Sequence, residues 1–257
     1  MILLLFDMDG TLTPSRNKIT AEVKEKLHYF KSFNFIKLGV VSGSDLIKIK
    51  EQLGKDVLDI FDYVCTENGL VTYCNGKLTH TNNMVQYLGE NVYQKIVNGF
   101  LKILSSIELD VKRGNFLELR TGMLNVCPIG RSCTQKERDN FEQFDKIYKI
   151  RESIVEQMNQ YLKDNNLEEI LQMSIGGQIS IDVFPKGWNK TYCLQHFTTL
   201  SSSLDALEIH FFGDRIFPGG NDYEIGNDNR VKAHSVNGPD NTVCIVNEII
   251  NTYNIYG

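Results

Sequence analysis

Two aspartates, two residues apart, stand at the end of a short apolar run: Leu3-Leu4-Leu5-Phe6-Asp7-Met8-Asp9-Gly10-Thr11-Leu12-Thr13. An unbroken apolar run of this length reads as a fully buried strand of a parallel sheet. A carboxylate at the end of such a strand is costly unless a cation or hydrogen bonds compensate it. The compensation expected here is Mg²⁺, a hard cation that takes oxygen ligands and often shares them with phosphate. With its charge partly neutralised, Asp7 can attack phosphorus and form an aspartyl-phosphate. Asp9 stands where a general acid and base is needed for the leaving and entering oxygens. Gly10 lets the backbone turn sharply, and Thr11 offers a hydroxyl and an amide to a phosphoryl group. The plain alternative is a strand-to-turn junction, since Asp-Gly is a common turn pair.

The following segments read as the elements that position these groups. Ile19 to Phe33 carries Val23, Leu27 and Phe30 at helical spacing, with Thr20 as N-cap. Ile36 to Val41 is a second buried strand ending at Ser42-Gly43-Ser44. Ser44 is expected to cap the next helix, which runs to a glycine stop at Gly54. That leaves Ser42 to bind a phosphoryl oxygen. Asp62 to Thr66 reads as a third strand, and Asn75-Gly76 as the tight turn of a hairpin. Strands alternating with helices indicate a right-handed parallel α/β unit.

The texture changes near residue 80. Asn91 to Ser106 is an amphipathic helix, and Phe116 to Arg120 and Met123 to Ile129 read as adjacent strands. One long helix is expected from Gln135 to about Asp164, followed by strands at Leu171 to Ile175 and Gln178 to Phe184. This is an α+β insert with an antiparallel sheet. Ser180 and Asp182 share one strand face, opposite Ile179, Ile181 and Val183. Arg120 shares a face with Glu118.

From Pro185 the α/β character returns. Trp188-Asn189-Lys190 opens a helix, so Lys190 opposes the helix dipole and is better matched to a nearby anion. Ile209 to Phe212 is a buried strand ending at Gly213-Asp214, followed by Pro218-Gly219-Gly220-Asn221-Asp222. A strand at Ala233 to Val236 and a helix from Pro239 to Tyr253 close the chain. The fold class expected is α/β, a Rossmann-like parallel-sheet core with an inserted α+β cap. Residues 1–80 and 186–257 would form the core and 81–185 the cap. Asp7, Ser42 and Asp214 then end three strands at the edge where open parallel sheets bind ligands.

Bulk properties narrow the function. At 257 residues the chain can hold one large or two small cores. A formal net charge of -5 argues against nucleic acid or an anionic membrane as the main partner. No apolar run approaches a membrane span, and Leu3 to Phe6 is too short for a signal sequence. Six cysteines without a CxxC pair suggest reduced, cytoplasmic thiols. Of the eight arginines, five lie between 113 and 151: Arg113, Arg120, Arg131, Arg138 and Arg151. Guanidinium groups concentrated in one segment suit phosphate, which they bind bidentately; a solvated face is the alternative.

The Asp-x-Asp-Gly-Thr turn, the serine after the second strand, Lys190, and the Gly-Asp…Asn-Asp loop resemble the four motifs of the haloacid dehalogenase superfamily. In that superfamily the acids of the last motif complete a metal site. The insert is similar to the cap of eukaryotic-type phosphomannomutases, in Gly114 to Arg131 (GNFLELRTGMLNVCPIGR) and Ser174 to Trp188. Asp7 to Arg16 and Gly213 to Glu224 fit the same family.

This resemblance implies Asp7 as nucleophile and Asp9 as proton donor and acceptor. Asp7, the carbonyl of Asp9, and Asp214 would hold Mg²⁺, and Lys190 would neutralise the aspartyl-phosphate. Arg16, Arg120, Arg131, Arg138, Ser180 and Asp182 match the family's sugar-phosphate contacts. A second metal position would fall on Gly226, Asp228 and Val231, where Gly-Asn-Asp-Asn-Arg departs from the family's usual residues. The implied activity is interconversion of mannose 6-phosphate and mannose 1-phosphate, feeding GDP-mannose synthesis. A hexose 1,6-bisphosphate, of glucose or mannose, would be activator and intermediate. The implied assembly is a cytosolic homodimer joined through the caps. A sugar phosphatase on the same scaffold, or a phosphosugar-binding protein without catalysis, are the alternatives. The arginine set speaks against the first, and intact Asp7, Asp9, Lys190 and Asp214 speak against the second.

Overall fold

Strand β1 (Ile2–Phe6) is an inner strand of a seven-stranded sheet and the middle one of its five parallel strands, and Leu3 to Phe6 are all 0% exposed. The computed structural model describes residues 1–15, 17–198 and 207–256. In order come α1 (Ala21–Lys31), β2 (Ile36–Val41), α2 (Leu46–Leu53), α3 (Val57–Ile60), β3 (Tyr63–Thr66), β4 (Val71–Cys74) and β5 (Lys77–Thr81). The later part adds a short 3-10 turn at Lys190–Leu194, α8 (Gln195–Thr198), β10 (Glu208–Gly213), α9 (Tyr223–Gly226), β11 (Val231–Ser235) and α10 (Pro239–Tyr256). The sheet order is β11-β10-β1-β2-β3-β4-β5. The first five strands of that order run parallel, and β4 and β5 are antiparallel additions. This is the parallel α/β core that the alternating segments predicted.

Both faces of the sheet are covered, which is why its strands read as continuous apolar runs. Leu4 and Phe6 pack with Leu27 and Phe30 of α1 and with Val246 and Ile250 of α10. Leu3 and Leu5 face the other way, toward Cys193, Leu194, Phe197 and Phe211. Each such side chain contributes roughly 1.5–3 kcal/mol of burial. A central strand held on both faces is a rigid base for the residue that follows it.

Residues Asn82–Lys186 form a separate compact unit, and Met1–Thr81 with Gly187–Gly257 form the other. The second unit contains α4 (Met84–Leu88), α5 (Glu90–Ser106), β6 (Leu117–Leu119), β7 (Leu124–Val126), α6 (Gln135–Tyr148), α7 (Ile150–Asp164), β8 (Leu171–Gly176) and β9 (Ser180–Pro185). Its four strands are antiparallel, in the order β6-β7-β9-β8.

Three local expectations need correction. The N-cap of α2 is Asp45, whose Oδ1 accepts from Lys48 N at 2.8 Å; Ser44 sits one residue too early. The long helix from Gln135 is two helices, broken at Lys149, which adopts a left-handed conformation (φ 56°). The break is held by Asp145, which accepts from Arg151 N at 2.8 Å and pairs with Arg151 Nε at 2.7 Å. An apolar stripe alone does not reveal such a break. Lys190 lies in a five-residue 3-10 turn capped by Asn189 rather than in an α-helix.

Arg151 matters beyond its helix. Its Nη1 donates to the carbonyls of Gly176, Gly177 and Ser180, fixing the β8–β9 hairpin that carries Ser180 and Asp182. The Asp145–Arg151 pair is 9% exposed on each side. Replacing Asp145 with Ala strands a buried guanidinium and should cost about 3–5 kcal/mol in urea unfolding. A loss below about 1 kcal/mol would mean that the pair does not anchor the hairpin.

Candidate active site

Asp7 follows β1, Ser42 follows β2 and Asp214 follows β10, so the parallel register brings all three to one sheet edge. The turn after β1 is closed by Gly10 N donating to Thr13 O at 2.7 Å. Gly10 has φ +77°, and a Cβ there would lie 2.3 Å from Asp214 Oδ2. Only glycine lets the two acid-bearing loops approach this closely. Gly213 plays the same part, since a Cβ on it would meet Asp222 Oδ2 at 2.6 Å.

At the centre is a buried ion triad. Lys190 Nζ donates to Asp7 Oδ1 and, at 2.6 Å, to Asp222 Oδ1. Asp222 is 0% exposed and also accepts from Arg215 N at 3.1 Å. The sequence reading singled out the Asn221-Asp222 loop but did not put Asp222 among the metal ligands. The available signal was Lys190 itself, a buried cation that needs more than one anion. Carboxylate oxygens of Asp7, Asp214 and Asp222 all lie within 4.8 Å of one another. Three carboxylates face one buried ammonium, with the exposed Arg215 guanidinium 3.8 Å from Asp214, so the cluster suits a further cation. The donors are hard oxygens, so the residues fit Mg²⁺ or a similar ion.

Electrostatics follow from this crowding. Burial pushes the Asp7 carboxyl up, Lys190 pulls it down and Asp222 pushes it up again, for a result of about 6 against an ordinary 3.8. Asp214 is raised by burial and by Asp222. Burial would lower the Lys190 ammonium, but attraction to Asp7 and Asp222 outweighs it and the group is raised. Lys190 is therefore a permanent cation near neutral pH.

The remaining residues of this edge are also accounted for. Ser42 Oγ is buried and accepts from Ser44 N at 3.1 Å, leaving its own proton to donate. Thr11 Oγ1 is buried without a hydrogen-bond partner among the described residues. Asp9 is not one of the three clustered acids; its Oδ1 accepts from Gln52 Nε2 of α2 at 3.0 Å. Asp228 accepts both Nε and Nη2 of Arg230, at 2.8 and 2.7 Å, beside Gly226 and the start of β11 at Val231. Arg16 lies outside the described residues.

The second unit holds its own polar network. Glu118, Asn125 and Asp182 are cross-strand neighbours in one row of the sheet. Arg120 Nη2 donates to Glu118 Oε2 at 2.9 Å, and Arg131 Nε pairs with the same oxygen at 3.0 Å. Arg131 Nη1 donates to Asn125 Oδ1 at 2.7 Å, and Asn125 Nδ2 donates to Asp182 Oδ1 at 2.5 Å. Arg138 Nη2 reaches the carbonyl of Arg131 at 3.0 Å. Ser180 Oγ donates to Gly176 O at 3.0 Å. Four of the five sequence candidates of this unit, Arg120, Arg131, Arg138 and Asp182, thus share one network, joined by Glu118 and Asn125, which sequence reasoning missed. The signal for Asn125 was an amide between Leu124 and Val126 in a buried strand.

The raised acids make a pH prediction. Asp7 loses its proton near 4 when unfolded and near 6 when folded. The proton therefore favours the fold below about 4, and that contribution is lost as pH rises through about 6. A divalent cation needs the ionised form, so its binding opposes the proton. The rise in melting temperature given by Mg²⁺ at pH 7.5 should shrink strongly at pH 5. An equal rise at both pH values would contradict the assignment of Asp7 and Asp214 as its ligands.

Comparison with known proteins fits this geometry. The family model described as eukaryotic phosphomannomutase matches residues 23–252. A phosphomannomutase of Saccharomyces cerevisiae is 49% identical over 250 residues, covering 97% of this chain and 94% of that protein. One from Galdieria sulphuraria is 48% identical over 249 residues, with the same coverage of 97% and 94%. Among solved structures, the trehalose-6-phosphate phosphatase of Aspergillus fumigatus superposes with a TM-score of 0.61 at 13% identity, covering 97% of this chain and 92% of that one. The sucrose-phosphatase of Synechocystis superposes at 0.52 with 14% identity, covering 96% and 97%. At these identities the structures speak for the fold alone, whereas the sequence matches reach across nearly the whole chain. The chain belongs to the eukaryotic phosphomannomutase family.

Proposed function

We propose that this chain interconverts mannose 6-phosphate and mannose 1-phosphate by two phosphoryl transfers through Asp7. Family membership makes it an enzyme of the isomerase class. The observation that carries the residue-level reading is the buried contact of Lys190 with both Asp7 and Asp222. It aims a carboxylate oxygen at the end of the central strand and keeps a cation beside it. In the first transfer phospho-Asp7, charged by a hexose 1,6-bisphosphate of glucose or mannose as activator, gives its phosphoryl group to the free hydroxyl of mannose monophosphate, whose proton Asp9 takes. The intermediate is mannose 1,6-bisphosphate. After the sugar turns round, an oxygen of Asp7 forms a bond to the other phosphorus while the bond from that phosphorus to the sugar oxygen breaks, and Asp9 returns its proton to that oxygen.

Mg²⁺, held by Asp7, Asp214, Asp222 and the carbonyl of Asp9, would offset the negative charge of the phosphoryl oxygens. Lys190 supports the same charge, with the hydroxyls of Ser42 and Thr11 as donors. A second cation at Gly226, Asp228 and Val231 would have to open the Asp228–Arg230 pair. Residues 82–186 act as the cap in this reading, and the phosphate that is not transferred is bound by Arg120, Arg131 and Arg138, with Arg16 of the core. Ser180 and Asp182 take sugar hydroxyls. We also infer a homodimer joined through the caps, a cytoplasmic location in keeping with six free thiols, and a place ahead of GDP-mannose synthesis. No helix among the described residues is long and apolar enough to cross a membrane.

The direct test supplies purified protein with mannose 1-phosphate, Mg²⁺ and glucose 1,6-bisphosphate. Mannose 6-phosphate should form with little inorganic phosphate. Free mannose and phosphate as main products would make the chain a sugar phosphatase.

The arginine network makes a second expectation. Arg131→Ala should weaken sugar-phosphate binding by about 1.5–3 kcal/mol, the loss of one charge-assisted contact. Hydrolysis of a small phosphate ester should be largely spared. Equal loss of both activities would mean that Arg131 only maintains the fold.

A further inference from the structure

The apolar stripe of α2 contains a residue that does not belong there by polarity. Ile49, Gln52 and Leu53 are its buried positions, and Gln52 is 3% exposed. A leucine or methionine would fill the same space without the cost of desolvating an amide. The cost is met by two acceptors: Gln52 Nε2 donates to Asp9 Oδ1 at 3.0 Å and to Asn17 O at 3.2 Å. The backbone carbonyl of Gln52 accepts from Ile19 N at 2.8 Å. One residue at the end of α2 thus ties down both ends of the segment that leaves β1, its acid and its return into α1.

The contrast with Asp7 is informative. Asp7 is held by an ammonium, a strong point charge shared with Asp222. Gln52 offers Asp9 a neutral amide, a contact that directs a carboxylate oxygen without itself adding charge. The carboxylate of Asp9 is also absent from the group of three acids that could hold a cation. The amide on the α2 side binds one oxygen of Asp9 outside that group.

We infer that Gln52 is a positioning residue for the reaction, acting through Asp9: its amide fixes the direction in which the Asp9 carboxylate meets the sugar oxygen. This rests on the reading of Asp9 as the acid and base. A misdirected acid costs turnover more than binding, and misplacement by about 1 Å can cost about 100-fold. The segment Asn17 to Ile19 is held by the same residue, so a structural effect on the loop has to be separated from the effect on Asp9.

The test is a double-mutant cycle on the full chain. Gln52→Met keeps length and apolar packing but removes the donor; Gln52→Glu keeps the shape and puts a carboxylate opposite Asp9. Both should lower mutase kcat, by about 10- to 100-fold for Gln52→Met, with KM changing less than about twofold. In the Asp9→Asn background Gln52→Met should cause no further loss, because the residue it acts through is already disabled. Single-turnover release of p-nitrophenol from p-nitrophenyl phosphate should be spared in Gln52→Met, because that leaving group needs no proton. Losses that multiply across the cycle, or a p-nitrophenol burst that falls as far as mutase turnover, would overturn the inference. If Gln52→Met does not fold, the same cycle run with Gln52→Glu decides the question. Turnover near wild type in Asp9→Asn alone would instead overturn the acid–base reading, and the inference with it.

Discussion

The structure depends on one ammonium group buried between two carboxylates. Lys190 is 2% exposed, Asp7 4% and Asp222 0%, and they come from three distant parts of the chain. Burying three charges is expensive, and their mutual attraction offsets that cost only when the geometry is good. Much of the core serves that geometry. The central strand is packed on both faces, and Gly10 and Gly213 let the acid-bearing loops close in. Asp222 Oδ2 is pinned by a backbone amide, so its other oxygen is directed at Lys190.

The triad also explains why Asp7 differs from an ordinary surface acid. Burial and Asp222 act to keep its proton, while Lys190 acts to remove it. The balance leaves the group near the edge of ionisation and receptive to a further positive charge. A divalent ion held by Asp7, Asp214 and Asp222 would supply that charge. Asp9 is outside the three-acid group and accepts from the neutral amide of Gln52. Two carboxylates two residues apart thus have different surroundings, as their different proposed roles require.

Legibility in the sequence followed burial and turn chemistry. The strand before Asp7, the helix stripe of α1 and the Asn-Gly hairpin could be read because each leaves a local pattern. Asp7, Ser42 and Asp214 stood at ends of such elements, so their convergence followed from parallel topology. What could not be read was tertiary pairing. The break at Lys149 depends on a carboxylate reaching across it, and Asp45 displaced Ser44 as a cap by one residue of reach. Asp222, Glu118, Asn125 and Gln52 acquire their roles from partners 2 to 57 residues away in sequence. For Asn125 and Gln52 a trace was present, as a polar residue in an otherwise apolar stripe. Such positions are worth reading as requests for a partner.

The central claim is that phosphate passes through Asp7. Rapid quenching of the protein with phosphorus-labelled hexose 1,6-bisphosphate, reduction of the acyl phosphate with borohydride and peptide mapping tests it most directly. The label should be lost to added mannose 1-phosphate at a rate no slower than turnover. Reduction should convert Asp7, and no other acid, to homoserine. Label on another residue, or sustained turnover with no protein-bound phosphate at any time point, would contradict it.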